Sequence, residues 1–189
     1  MPSDTPTNYA GIIIRMNAAT DSVMFPSLVK DALAQIYATA TGKKLLLGIA
    51  SRAANAKFGY TVCIKRADMT YDGTCATKWK GTNVAKRGDE AAATTGGSSV
   101  TAVTYNPNMI NTPDGNRPSW IGLAHELIHA YYNLKGKGLP TGTVQNVNGL
   151  VEQEEMATVG LGAGPHRSIT ENIIRAEAGI PLRKTYGGN

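Results

Sequence analysis

The sequence predicts an α+β fold, a compact arrangement in which a small mixed sheet packs on an N-terminal helix and on a later helix carrying a histidine pair. Three observations point there. Residues 26–41 repeat apolar side chains at helical spacing, residues 58–65 and 100–105 carry the alternation and β-branched content of strands, and residues 119–134 form a second amphipathic stretch with three ionisable groups inside it. A chain of 189 residues has room for one core, since domains most often hold roughly 100 to 150 residues. Residues 21–189 therefore read as a single domain behind a flexible segment of residues 1–20.

The opening Met1-Pro-Ser-Asp-Thr-Pro-Thr-Asn8 is polar and proline-bearing, with no apolar period to bury, and so is expected to be mobile. From Pro26 to Thr41 the residues Val29, Ala32, Leu33, Ile36, Tyr37 and Ala40 recur on one helical face, and Gly42 stands where a C′ residue belongs. The short apolar run Leu45 to Ala50 reads as a strand, and Phe58, Tyr60, Val62 and Ile64, alternating with Gly59, Thr61, Cys63 and Lys65, read as another. Residues 68–99, rich in Gly, Thr, Lys and Ala without a sustained period, read as a long loop or insertion. Val100 to Tyr105 is a third strand, closed by Asn106-Pro107-Asn108. Ser119 to Leu134 places Trp120, Leu123, Ala124, Leu127, Ile128 and Tyr131 on one broad apolar face that ends at Gly136. Two more helices are expected, Leu150 to Val159 and about Ile169 to Ala178, each stopped by glycines.

Composition narrows the class. With 42% hydrophobic and 17% charged residues the chain is of globular type rather than disordered. No segment approaches the roughly 18 apolar residues of a membrane helix, and Ile12-Ile13-Ile14 is too short for the apolar stretch of a secretory signal. Cys63 and Cys75 read as reduced thiols. The net charge of +5 is concentrated in Lys43-Lys44, Lys65-Arg66, Lys78-Trp79-Lys80 and Lys86-Arg87. Such a patch suits nucleic acid, but solvated loop charge accounts for it more simply. The expectation is a monomer with neither a nucleic-acid nor a membrane partner.

The chemistry is concentrated at His125-Glu126-Leu127-Ile128-His129. Histidines four residues apart project from one face of a helix, a turn apart, and reach one ion, while Glu126 is placed to take a proton from a water beside it. This pattern is that of catalytic zinc, which keeps one coordination position open. Two histidines leave a third ligand to be found. The longer pattern with a third histidine would need Gly at 132 and His at 135, where this chain has Tyr132 and Lys135. His166 lies in a glycine-flanked loop, whereas Glu152, Glu154 and Glu155 lie on a helix, where a carboxylate is aimed with more precision. Spacing alone does not choose among the three. The alternative reading is a basic protein- or nucleic-acid-binding module whose zinc is structural, which would require four protein ligands.

Glu154-Glu155-Met156-Ala157-Thr158-Val159-Gly160 resembles the Glu-Glu-x-x-Thr-aromatic-Gly segment of the clostridial neurotoxin light chains, and Arg183-Lys184-Thr185-Tyr186 resembles their Arg-x-x-Tyr pair. The same motifs, with Glu171-Asn172, Arg175, Glu177 and Gly179, resemble the NleD-like type III effector proteases of bacterial pathogens. The match lies in the C-terminal half; residues 1–100 carry none. The resemblance implies a zinc metalloendopeptidase of gluzincin type with one zinc on His125, His129 and Glu155, Glu154 beside the ligand, and Glu171 behind it. Tyr186 and Arg183 would face the reacting carbonyl. It also implies secretion by a bacterium, action in the cytoplasm of a host cell, and a host signalling protein as substrate, extending to mitogen-activated kinases. Independently of the resemblance, Ser168-Ile169-Thr170-Glu171 has the form of a capping box, in which Glu171 would serve a helix N-terminus.

Overall fold

The computed structural model describes residues 2–17, 23–53, 60–67, 69–71, 77–79, 83–112, 115–146, 149–162 and 166–186. Strands β1 (Pro2–Pro6) and β2 (Ile12–Asn17) precede helices α1 (Phe25–Tyr37) and α2 (Ala40–Ala50). Then come β3 (Val62–Arg66), the hairpin β4 (Met69–Tyr71) and β5 (Thr77–Trp79), β6 (Val84–Arg87), α3 (Glu90–Thr94) and β7 (Thr101–Tyr105). A two-residue hairpin, β8 (Asn111–Thr112) and β9 (Gly115–Asn116), leads into α4 (Ser119–Leu134). The hairpin β10 (Thr143–Asn146) and β11 (Gly149–Glu152), then α5 (Gln153–Val159) and α6 (Glu171–Glu177), complete the described chain.

Five strands form one mixed sheet in the order β1-β2-β3-β7-β6. The central β2, β3 and β7 are parallel, with Ile14 opposite Ile64 and Ile64 opposite Val103, while β1 and β6 run antiparallel at the two edges. Ile12, Ile14, Val62, Ile64, Val103 and Tyr105 of the sheet join one core with Val29, Leu33 and Ile36 of α1 and Ile121, Leu123, Leu127 and Ile128 of α4. Each such side chain contributes about 1.5–3 kcal/mol when fully buried. Helix α4 packs against α1, α2, α3, α5, α6, β6 and β7, so it is buried on nearly every side. Its polar residues must therefore find partners inside the protein.

Five expectations from the sequence are corrected. Residues 1–20 were expected to be a flexible lead-in, yet β1 pairs with β2 and Arg15 meets Asp4 at 2.8 Å. An edge strand needs ladder bonds rather than an apolar period, and prolines at its two ends cost few of them. Leu45–Ala50 belongs to helix α2, not a strand. Thr39 caps that helix by accepting from Gly42 N at 3.0 Å, so Gly42 lies in its first turn rather than ending α1. Within residues 68–99, β6 is a strand of the main sheet and α3 follows it; residues 68, 72–76 and 80–82, with Cys75, lie outside the described residues. Residues 149–152 form β11, and α5 starts only at Gln153. The strand expected over 58–65 begins only at Val62: Tyr60 and Thr61 are described and lie before it, and residues 54–59 lie outside the described set.

Candidate metal centre

Helix α4 lies beneath a cleft of about 890 Å³ whose walls include β6, the β10–β11 hairpin and the C-terminal segment. His125, Glu126 and His129 reach it from α4, and all three are buried. Glu154 and Glu155 stand in the first turn of α5. Being about 100° apart round a helix, these neighbours meet different ring nitrogens: Glu154 reaches His129 Nδ1, and Glu155 reaches the Nε2 atoms of both histidines.

The imidazoles are held from behind. His125 Nδ1 lies 2.7 Å from Glu171 Oε2, and His129 Nδ1 lies 3.2 Å from Glu154 Oε1 and 3.3 Å from Thr158 Oγ1. A carboxylate accepts, so each Nδ1 carries the proton and each Nε2 turns its lone pair into the cleft. There the two Nε2 atoms are 3.1 Å apart, with Glu155 Oε2 at 2.8 Å from His125 Nε2 and Glu155 Oε1 at 3.3 Å from His129 Nε2. Three acceptors converge on one point, an arrangement that calls for a proton or a cation. His125, His129 and Glu155 can hold a metal ion, with their ligand atoms all within 4.8 Å of one another. Nitrogen and carboxylate donors in a set of three suit zinc with one position open. His166 is exposed on the segment after α5 and does not join them.

The supporting carboxylates are themselves bound. Glu171, 0% exposed, meets Arg175 Nε at 2.7 Å, Arg183 Nη1 at 3.3 Å and Arg117 Nη1 at 3.5 Å; burial opposes its ionisation, but His125, with Arg117 and Arg183, holds it well below the usual carboxylate range. Glu154 accepts from Arg167 Nη2 and from the Leu139 backbone N–H, both at 2.7 Å. Burial works against its ionisation, but His129 and Arg167 bring it down to about 2. Burial would lower His129 as well; the carboxylates of Glu155 and Glu154 outweigh that and raise it to about 10. Glu126 differs: burial pushes its carboxyl up, and it makes no hydrogen bond among the described residues. A buried carboxylate with a raised pKa is suited to taking and returning a proton.

The C-terminal segment folds back over the cleft. Arg175 Nη1 donates to Pro181 O at 2.9 Å, Asn172 exchanges bonds with the Arg183 backbone at 2.8 and 2.9 Å, and Asn146 Nδ2 donates to Tyr186 O at 2.6 Å. These contacts put the Tyr186 ring on His125, centroids 5.9 Å apart, with the Arg183 guanidinium over the same ring at 4.4 Å. Burial and the carboxylates of Glu155 and Glu126 push the phenol up, so it stays protonated and able to donate.

The structure thus brings together His125, Glu126, His129, Glu154, Glu155, Glu171, Arg183 and Tyr186. The capping box expected at Ser168 does not form: Thr170 is the N-cap of α6, accepting from Ile173 N at 3.3 Å, which leaves Glu171 free to turn inward. Arg117 and Arg167 went unnoticed in the sequence, and Arg175 was named there only within the effector resemblance, with no role. Only Arg175 had a local signal, its i,i+4 spacing from Glu171.

None of the curated proteins compared with the chain matches it. Among solved structures it is similar to the botulinum neurotoxin type D light chain, with a TM-score of 0.54 at 14% identity over 82% of this chain and 54% of that one. It is also similar to the botulinum neurotoxin type G light chain, with a TM-score of 0.53 at 14% identity over 89% and 55%. The fold is that of these light chains, and the chain spans about half their length. The family Peptidase_M91, described as effector protein, matches residues 14–186, from the middle of β2 to the tyrosine beside His125. The chain belongs to the Peptidase_M91 effector protein family.

Proposed function

We propose that the protein is a zinc metalloendopeptidase of gluzincin type that a bacterium delivers into host cells, where it cleaves a host signalling protein. The observation that carries this reading is the convergence of His125 Nε2, His129 Nε2 and the Glu155 carboxylate in an open cleft, with both Nδ1 protons committed to buried carboxylates. One zinc per chain, held by those three residues, would supply the positive charge that polarises the scissile carbonyl and makes an attacking water more acidic. Glu126 takes the proton of that water and returns it to the leaving amine, a task its burial and raised pKa favour. The Tyr186 hydroxyl donates to the carbonyl oxygen as charge builds there. Arg183, stacked on Tyr186 and bonded to Glu171, holds the phenol in place. Glu154 and Glu171 fix the two imidazoles.

An extended substrate pairs with β6, the last strand of the sheet, whose outer edge faces the cleft. The family's description as effectors supports action on a host protein, and mitogen-activated kinases are the first substrates to try. The test compares the wild-type chain with Glu126→Gln. Both should bind one zinc by elemental analysis, and only the wild type should generate new protein termini in a host-cell lysate read by mass spectrometry. Equal termini from both, or absence of zinc from both, would refute the reading.

A further inference from the structure

Two side chains that line the cleft carry buried nitrogen donors unused by the chemistry described above. Asn83 and Arg117 line it at 8% and 7% exposure, and Asn83 Nδ2 and Arg117 Nε have no hydrogen-bond partner among the described residues. Buried donors rarely stay unmatched unless a ligand completes them. The Asn83 amide cannot turn round to relieve this, because its Oδ1 accepts the Asn106 backbone N–H at 2.7 Å.

The two side chains lie together against a bare stretch of α4. A Cβ on Gly122 would stand 2.2 Å from Asn83 Nδ2 and 3.1 Å from Arg117 Nη2. Gly122 is three residues before His125 and four before Glu126, so the donors sit one turn from the reacting groups. A mid-helix glycine costs about 1 kcal/mol against alanine; here it makes room for the pair.

Direction along the cleft follows from β6. That strand runs from Val84 to Arg87, and its Arg87 end lies by Asn133, Leu139 and Glu154, on the His129 side. A chain pairing antiparallel with β6 runs the other way, and brings the residue after the scissile bond to Asn83 and Arg117. Charge adds a preference. Glu171 faces the guanidiniums of Arg117, Arg175 and Arg183, and the Glu126 carboxylate also acts on Arg117; three cations against two carboxylates favour an anion on this side. Two adjacent N–H donors also match the two oxygens of a carboxylate better than a single carbonyl.

We propose that Asn83 and Arg117 form a subsite for the carboxylate of an aspartate or glutamate that follows the scissile bond. The assignment rests on the peptidase reading above for its place in the reaction, but not for its affinity. The full-length chain with Glu126→Gln, supplied with zinc, is therefore titrated by calorimetry with acetyl-Ala-Ala-Asp-Ala-amide and with its Asn counterpart. The Asp peptide should bind about 10-fold tighter or more, the worth of a hydrogen bond to a charged group. That ratio should fall towards one when Arg117→Gln or Asn83→Asp is added. Asn83→Asp keeps the acceptor for Asn106 and replaces only the donor, so it reports even if loss of Arg117 unfolds the protein. Equal affinity for the two peptides, or a ratio unchanged by both substitutions, overturns the proposal. An equal loss for both peptides would mean that a main-chain carbonyl is held there, which also overturns it. Sequencing the fragments that the wild type makes from a mixed peptide library gives the second arm. Acidic residues should dominate the position after the cut. Cleavage without that preference refutes the subsite and leaves the peptidase reading standing, whereas selective binding with no cleavage of any peptide does the reverse.

Discussion

Replacing Glu171 by Gln removes one buried charge while keeping the shape of the side chain. In the wild type that carboxylate accepts from His125 Nδ1 at 2.7 Å and receives Arg175, Arg183 and Arg117. A glutamine offers one acceptor oxygen and an NH₂ group, so either His125 keeps its partner and the NH₂ faces a guanidinium, or the reverse. Loss of a carboxylate behind a ligating histidine typically costs 10- to 100-fold in metal affinity, about 1.4–2.7 kcal/mol. Leaving guanidiniums buried without their counter-charge should destabilise the metal-free protein by about 3–5 kcal/mol. Zinc competition against a chromophoric chelator reads the first quantity, and urea unfolding of the metal-free protein reads the second. Glu177→Gln serves as the control. Glu177 accepts from Thr41 N and Oγ1 at the start of α2, at 2.7 and 2.6 Å, far from the cleft; it should cost about 1–2 kcal/mol with zinc affinity unchanged. A Glu171→Gln chain that binds zinc within twofold of the wild type would show that the hub does not position His125.

Tyr186→Phe should lower kcat by about 10²- to 10³-fold, the effect of removing one oxyanion donor, with zinc content and Tm unchanged; full turnover in peptide assays would remove Tyr186 from the mechanism. The metal site also sets a pH dependence. His129 is raised to about 10 in the metal-free protein, so its contribution to stability there is complete below its unfolded pKa near 6.5 and is lost as pH rises through 10. Zinc must displace that proton, so at pH 7.5 uptake should release about one proton or more per ion. Affinity should therefore rise with pH, and calorimetry in buffers of different ionisation enthalpy measures the release. Affinity constant from pH 6.5 to 8.5 would contradict the arrangement.

What could be read from the residues in advance depended on how locally each feature is encoded. Helix α4 was legible because its apolar period, motif and terminal glycine agree within one stretch. Leu45–Ala50 was misread because a six-residue apolar run fits a strand or a buried helix equally well. What decides it is Thr39 at the cap and Glu177 on the first turn, the latter 136 residues away. Strand β6 was hidden for the opposite reason: Val84-Ala-Lys-Arg87 has no alternation, since as an edge strand it is half-exposed along most of its length. At the site, the histidines carried recognisable spacing, and Glu154 and Glu155 were singled out by the motif they share with a known family. Arg117 and Arg167 did not, because only tertiary packing brings them to Glu171 and Glu154.

The adjacency of Glu154 and Glu155 gives the centre an all-or-none relation to helix phase. One peptide unit separates the group that would bind the metal from the group that steadies a histidine, so a one-residue slip of α5 would exchange their roles rather than loosen both slightly. Gly160, at φ +89°, fixes where that helix stops, and β11 fixes where it starts. Length changes in the hairpin before α5 should thus be sorted sharply: those absorbed between β10 and β11 leave the phase intact, and those that reach Glu152 erase the centre in a single step.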